Sequence, residues 1–196
     1  MTSVRAQVIT RRTYNRPTDT GYETWEQTVD RVIHHQAWLW DRAGTSDITE
    51  LVELRELMIS RKVMVSGRTL WLGGTDVAKK REASQFNCSH LKVETIHDVV
   101  DSLWLLLQGC GVGFTPVVGT LSGFTSPIRN IQVLRSKRTK KGGHEGNRES
   151  TDNGTWTITV GDSAEAWAKS IGKVLAYKGK ATNFVLDLTQ LRPAGQ

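Results

Sequence analysis

The chain has 196 residues, 38% of them hydrophobic, with seven tryptophans and a formal net charge of +6 at neutral pH. That length holds one domain or part of something larger, and the hydrophobic share supports a core. Apolar runs fall short of the roughly 18 residues a membrane span needs, and the start MTSVRAQVITRRTYNR has no signal-peptide core, so a soluble, cytoplasmic protein with no membrane partner is expected.

Residues 1–22 are polar, broken by Pro17 and Gly21, and read as an arm. Thr24 with Gln27 three residues on makes a capping box for a helix in which Trp25, Val29, Val32, Ile33, Ala37 and Trp40 share a face, and Gly44 ends it. A second amphipathic helix follows, capped by Ser46, with Ile48, Leu51, Val52, Leu54 and Met58 facing in. The next stretch, VMVSGRTLWLGGTDVAKKREAS, reads as irregular, with sharp turns at Gly67, Gly73 and Gly74.

At FNCSHLKVE the pattern becomes strand-like, and Thr95 caps a helix, IHDVVDSLWLLLQ, whose apolar positions run nearly all round, so deep burial is expected. VGFTPVV then reads as a strand. Residues 119–154 are rich in Gly, Ser and charge, with a short strand at IRNIQVL. TWTITV alternates as a strand, Asp162 with Glu165 caps a helix running to Tyr177, and NFVLDL closes the series with Phe184, Leu186 and Leu188 on one face. Strands alternating with helices from about residue 85 give an α/β layout.

The two cysteines, Cys88 and Cys110, make neither a disulfide framework nor a CxxC zinc site, and the neighbours His34 and His35 cannot share a helix face, so no metal site is expected. Cys110 lies in LLLQGCGVGF, where an apolar helix runs into a glycine turn before a strand. Glycine there lets a backbone approach a ligand closely, but the same pattern serves a structural turn, and the apolar surroundings of Cys110 suit a packed thiol. The basic run RSKRTKKGG, residues 135–143, reads as a solvated loop or a site for an anion.

Five motifs in order, SGRTLWLGGTD (66–76), NCS (87–89), GCGVGF (109–114), VGDSAEAW (160–167) and LDLTQLRPAG (186–195), resemble those of ribonucleotide reductases. The likeness is greatest to the adenosylcobalamin-dependent class, particularly its monomeric ribonucleoside-triphosphate reductases, and RTYNRP…GYETWEQTVDRV also resembles that group's N-terminus. The resemblance implies an N-terminal helical region, residues 1–85, followed by the first part of a ten-stranded α/β barrel, residues 86–196, with an effector-type insertion at about 119–182. It implies that Cys88 is one half of a redox pair beneath the substrate ribose. Ser66, Asn87 and Gly111 would help hold the substrate, and Cys110 would have no role. Arg135, Lys137, Arg138, Lys140 and Lys141 become candidates for the phosphates of a deoxynucleotide effector. The implied partners are a ribonucleoside triphosphate, that effector, a thioredoxin-type reductant and the remaining C-terminal part of the reductase, which would hold most of the adenosylcobalamin site.

The family's radical cysteine, in an Asn-Pro-Cys-Gly-Glu strand, and its later thiols have no counterpart here. The chain thus resembles the first quarter to third of a reductase, whether gene fragment, split subunit or the part upstream of an intein, and is expected to be inactive alone. Two other readings are a non-catalytic reductase-like piece and a basic nucleic-acid-binding module. The second lacks a recognisable motif or aromatics near the basic run, so nucleic acid is not an expected partner.

Overall fold

A computed structural model of the chain describes residues 3–45, 47–119, 126–137 and 143–193. Two units, Met1–Asn87 and Cys88–Gln196, each gather around contacts of their own.

In the first unit the expected arm is largely helical: α1 spans Val4–Thr13, with Ser3 Oγ accepting from the Ala6 N–H at 3.2 Å. Its sequence shows no helical stripe because it buries almost nothing; Val4, Val8 and Ile9 are all exposed. A two-residue antiparallel pair, β1 (Pro17–Thr18) and β2 (Gly21–Tyr22), leads into α2, Trp25–Arg42. The Thr24–Gln27 capping box forms, and Gly44 takes the left-handed φ of +73° that ends the helix. Val29 and Val32 are buried as the spacing requires, while Ala37 is exposed and His35 takes the inner position.

Helix α3 runs Ile48–Ile59 and is capped by Asp47, whose side chain accepts from the Thr49 N–H; Ser46 lies outside the described residues. Leu51 and Met58 face in, but Ile48 and Val52 are 72% and 51% exposed, so the inner stripe is narrower than expected. The stretch read as irregular forms α4 (Gly67–Leu72), α5 (Asp76–Lys80) and a 3₁₀ turn at Glu82–Gln85. These pieces are too short for a period to show. Gly67 opens α4 instead of turning the chain, and Gly74 turns it with φ +79°. The core joins Val29, Val32, Met58 and Leu70. Beside it a little-exposed ion pair, Arg31–Glu23 at 2.8 Å, also reaches the Leu70 and Gly73 carbonyls, tying α2 to α4.

The second unit opens with β3 (Cys88–Val93), α6 (Ile96–Leu107) and β4 (Gly111–Pro116), a β-α-β unit whose strands pair parallel from Cys88↔Gly111 to Val93↔Pro116. Thr95 caps α6 as expected, with Asp98 closing the box. The expected deep burial does not hold: Leu106 and Leu107 are 51% and 43% exposed. Within its unit α6 packs on β3, β4 and one neighbouring helix, which leaves part of its apolar circumference uncovered.

A second sheet has the order β5-β8-β7-β6. Strands β5 (Asn130–Leu134), β7 (Thr155–Thr159) and β8 (Asn183–Asp187) run parallel, and β6 (Arg148–Asp152) is antiparallel to β7. Strand β6 was not expected, because RESTD is wholly polar and exposed; the local signal was Asn153–Gly154, both with positive φ, the two-residue turn of a tight hairpin. Helix α7 spans Ala164–Leu175 and connects β7 to β8. Its cap is Ser163, not Asp162; the Asp162 carboxylate instead accepts from Arg192 Nε at 3.0 and 3.1 Å. Gly172 lets α7 close on α6, since a Cβ there would lie 2.8 Å from Val100 Cγ2. Trp156, Ile158, Val160, Ala166, Ala181 and Phe184 form the core, with Tyr177 stacked on Trp156 at 4.1 Å. The expected α/β character holds, as open sheets of two and four strands; a closed ten-stranded barrel is not formed by the described residues.

Candidate functional site

Alternation along β3 puts Cys88, His90 and Lys92 on one face and Ser89, Leu91 and Val93 on the other, where Val93 is buried. On β4 the residues paired with the first set are Gly111, Gly113 and Thr115. The exposed face of this parallel pair therefore carries a thiol and an imidazole on one strand, and backbone alone opposite them on the other. His90 Nε2 lies 3.1 Å from Thr115 Oγ1, bridging the strands. A Cβ on residue 113 would sit 3.2 Å from His90 Cδ2, so glycine makes room for the ring.

The two thiols differ sharply. Cys88 is exposed at the start of β3; Cys110 is 3% exposed, its N–H bonded to the Leu105 carbonyl as α6 ends. Gly109, with φ +86°, makes the turn that leaves Cys110 packed and delivers Gly111 opposite Cys88. Both residues stand at the N-terminal ends of their strands, opposite to the carboxyl ends where open α/β sheets most often place ligands.

Asn87, exposed, immediately precedes Cys88. Ser66 is the N-cap of α4, its Oγ accepting from the Thr69 N–H at 3.1 Å. From the same helix Arg68 Nη1 donates to the Phe86 carbonyl at 2.7 Å, anchoring the strand-ward segment one residue before Asn87. Gln85 Nε2 lies 2.9 Å from His35 Nε2, tying that segment to α2 as well. These tethers, and the His90–Thr115 bridge, were not among the candidate residues. Gln85 and His90 stand out in the sequence as hydrogen-bonding neighbours of Cys88; nothing there marks His35 or Arg68.

Of the basic run, Arg135 and Lys137 are exposed and line an open groove of about 670 Å3 with Val133, Leu134 and Thr189. Arg138, Lys140 and Lys141 lie outside the described residues. No helix among the described residues is long and apolar enough to cross a membrane.

No family model matches the chain. It is 26% identical to the adenosylcobalamin-dependent ribonucleoside-triphosphate reductase of Lactobacillus helveticus, over 94% of this chain and 32% of that protein. The likewise named protein of Lacticaseibacillus paracasei is 26% identical, over 94% of this chain and 31% of its own length. Among solved structures, a B12-dependent (class II) ribonucleotide reductase superposes with a TM-score of 0.73 at 22% identity, covering 96% of this chain and 33% of that one, which shows a shared fold. Over nearly its whole length the chain is thus related to adenosylcobalamin-dependent ribonucleoside-triphosphate reductases, and it spans about a third of theirs.

Proposed function

We propose that the chain supplies the N-terminal third of a ribonucleotide reductase, in which Cys88 is one of two thiols that reduce a ribonucleoside triphosphate for DNA synthesis. The observation that carries this reading is the pairing of an exposed Cys88 with Gly111 across parallel strands, while Cys110 is buried. Replacing the ribose C2′–OH by C2′–H takes two electrons and two protons. Two thiols supply them and close to a disulfide, and the hydroxyl leaves as water. A thioredoxin-type dithiol then reopens the disulfide. Cys88 has access for both steps; a thiol packed like Cys110 has it for neither.

Gly111 opposite Cys88 removes side-chain bulk where a ribose ring would lie, so the sugar reaches the thiol without displacing protein. Asn87 and Ser66 are the further hydrogen-bonding residues of this reading; Ser66 Oγ accepts from the Thr69 N–H and lies 2.8 Å from Thr69 Oγ1. Adenosylcobalamin supplies radical initiation when bound. Most of that cofactor's site would lie in the remaining C-terminal part of the reductase.

The region of about 119–182 would be the effector-type insertion of a ten-stranded barrel enzyme. Some of Arg135, Lys137, Arg138, Lys140 and Lys141 would meet deoxynucleotide phosphates; the groove beside Arg135 and Lys137 supports this. Reversing three of these five charges in the assembled enzyme is expected to weaken effector binding, and unchanged affinity would overturn the effector assignment alone.

The test of the main reading is turnover of the enzyme assembled with the remaining polypeptide. Cys88→Ser is expected to abolish multiple turnover while largely sparing nucleotide binding, and Cys110→Ala to leave turnover in place. Full thioredoxin-driven turnover by Cys88→Ser would refute it.

A further inference from the structure

A second cavity, remote in sequence from Cys88 and Gly111, opens at the C-terminal ends of β7 and β8, where Thr159 and Asp187 are the last strand residues. Parallel sheets characteristically receive ligands at this end. The cavity measures about 240 Å3 and is lined by His144, Gly146, Arg148, Thr159, Asp187 and Gln190, together with Val160. Its size falls below the ~300–1,000 Å3 of pockets for drug-sized ligands, so its occupant is small.

The walls are fixed by contacts that the sheet itself does not require. The strap 144–147 is stitched to the turn between β7 and α7. Asp162 N–H donates to the His144 carbonyl at 2.8 Å, Ser163 Oγ to the Glu145 carbonyl at 2.7 Å, and Gly161 N–H to Asn147 Oδ1 at 3.0 Å. The fit is close enough that a Cβ on residue 161 would come within 2.5 Å of the Glu145 backbone. On the opposite side Asp187 is oriented by Thr159 Oγ1 at 3.0 Å and by the Thr189 N–H at 2.9 Å.

The lining is divided by chemistry. Arg148 and His144 form one cluster, with Arg148 Nη2 2.8 Å from His144 Nε2; an exposed guanidinium beside an imidazole suits a phosphate dianion. Asp187 and Gln190 contribute carboxylate and amide groups, which suit ribose-type hydroxyls. We infer that the cavity at the ends of β7 and β8 binds a small phosphorylated sugar, its phosphate on Arg148 and His144 and its hydroxyls on Asp187 and Gln190. This site is independent of the reductase reading: it needs neither Cys88 nor the basic run.

The experiment titrates the full chain, at a concentration where sedimentation shows no self-association, with ribose 5-phosphate, followed by two-dimensional NMR of backbone amides. Saturable shifts are expected at 144–148, 159–162 and 187–190, with ribose 5-phosphate binding more tightly than inorganic phosphate or ribose alone. Arg148→Ala should weaken binding about tenfold or more, and Gln190→Ala should abolish the preference over inorganic phosphate, both with amide dispersion retained. Absence of saturable shifts up to about 10 mM would overturn the inference, as would equal affinity for inorganic phosphate or unchanged affinity in Arg148→Ala.

Discussion

Two residues show how burial sets chemistry in the first unit. Burial pushes the His35 imidazole below its ordinary pKa, and Lys79 adds to this, against a smaller opposing pull from Glu82. The geometry agrees: with Gln85 donating, Nε2 accepts, and the proton sits on Nδ1, which has no hydrogen-bond partner among the described residues. Because the folded state binds the second, charging proton less tightly, the unfolded chain gains it first. His35 should therefore cost stability as pH falls below the ordinary imidazole range. At Glu23, burial would raise the carboxyl, but bonds from Arg31, the Arg16 N–H and Thr28 outweigh it and hold the pKa low. Its contribution is present above the ordinary glutamate range and is lost as pH falls through the folded value. Urea melts across mildly acidic pH should thus show stability falling in two regions, with His35→Gln flattening the upper and Glu23→Gln the lower. Arg31→Ala strands Glu23 among little-exposed groups and should cost about 3 kcal/mol in the same melts.

At the scale of elements, caps were legible and partners were not. Thr24–Gln27 and Thr95 with Asp98 are local spacings, and the sequence shows them; Thr24→Ala should lower stability by about 1 kcal/mol in thermal or urea unfolding. Asp162 was misread as a cap because its true partner, Arg192, lies thirty residues on and spacing carries no trace of it. That ion pair joins two of the stretches on which the resemblance rests, VGDSAEAW and LDLTQLRPAG. Helix α1 and strand β6 escaped notice because both are exposed on nearly all sides, which erases the apolar period. Gly161→Ala should cost about 1–3 kcal/mol, since the neighbouring backbone of Glu145 and Gly146 must give way.

For the whole molecule, the α/β layout and the strands at 88–93, 111–116, 155–159 and 183–187 followed from alternation and glycine punctuation. The candidate site was legible only in part: the Cys88–Gly111 pairing depends on parallel register, and register comes from long-range contacts. Uncovered apolar surface on α6 and along β5, where Ile131, Val133 and Leu134 are exposed, leaves much hydrophobic area facing water. The chain alone is therefore expected to self-associate and to bind a hydrophobic dye, with sedimentation showing species larger than 21.9 kDa. It should also show no turnover of a ribonucleoside triphosphate with adenosylcobalamin and dithiol.

The central claim is that Cys88 is a redox thiol of a reductase. It is tested most directly by letting the assembled enzyme turn over substrate once without external reductant, then blocking free thiols and mapping disulfides by mass spectrometry. Cys88 is expected in a substrate-dependent disulfide, with Cys110 recovered as a free thiol. Cys88 recovered free after substrate reduction, or a bridge formed by Cys110 in its place, would contradict it.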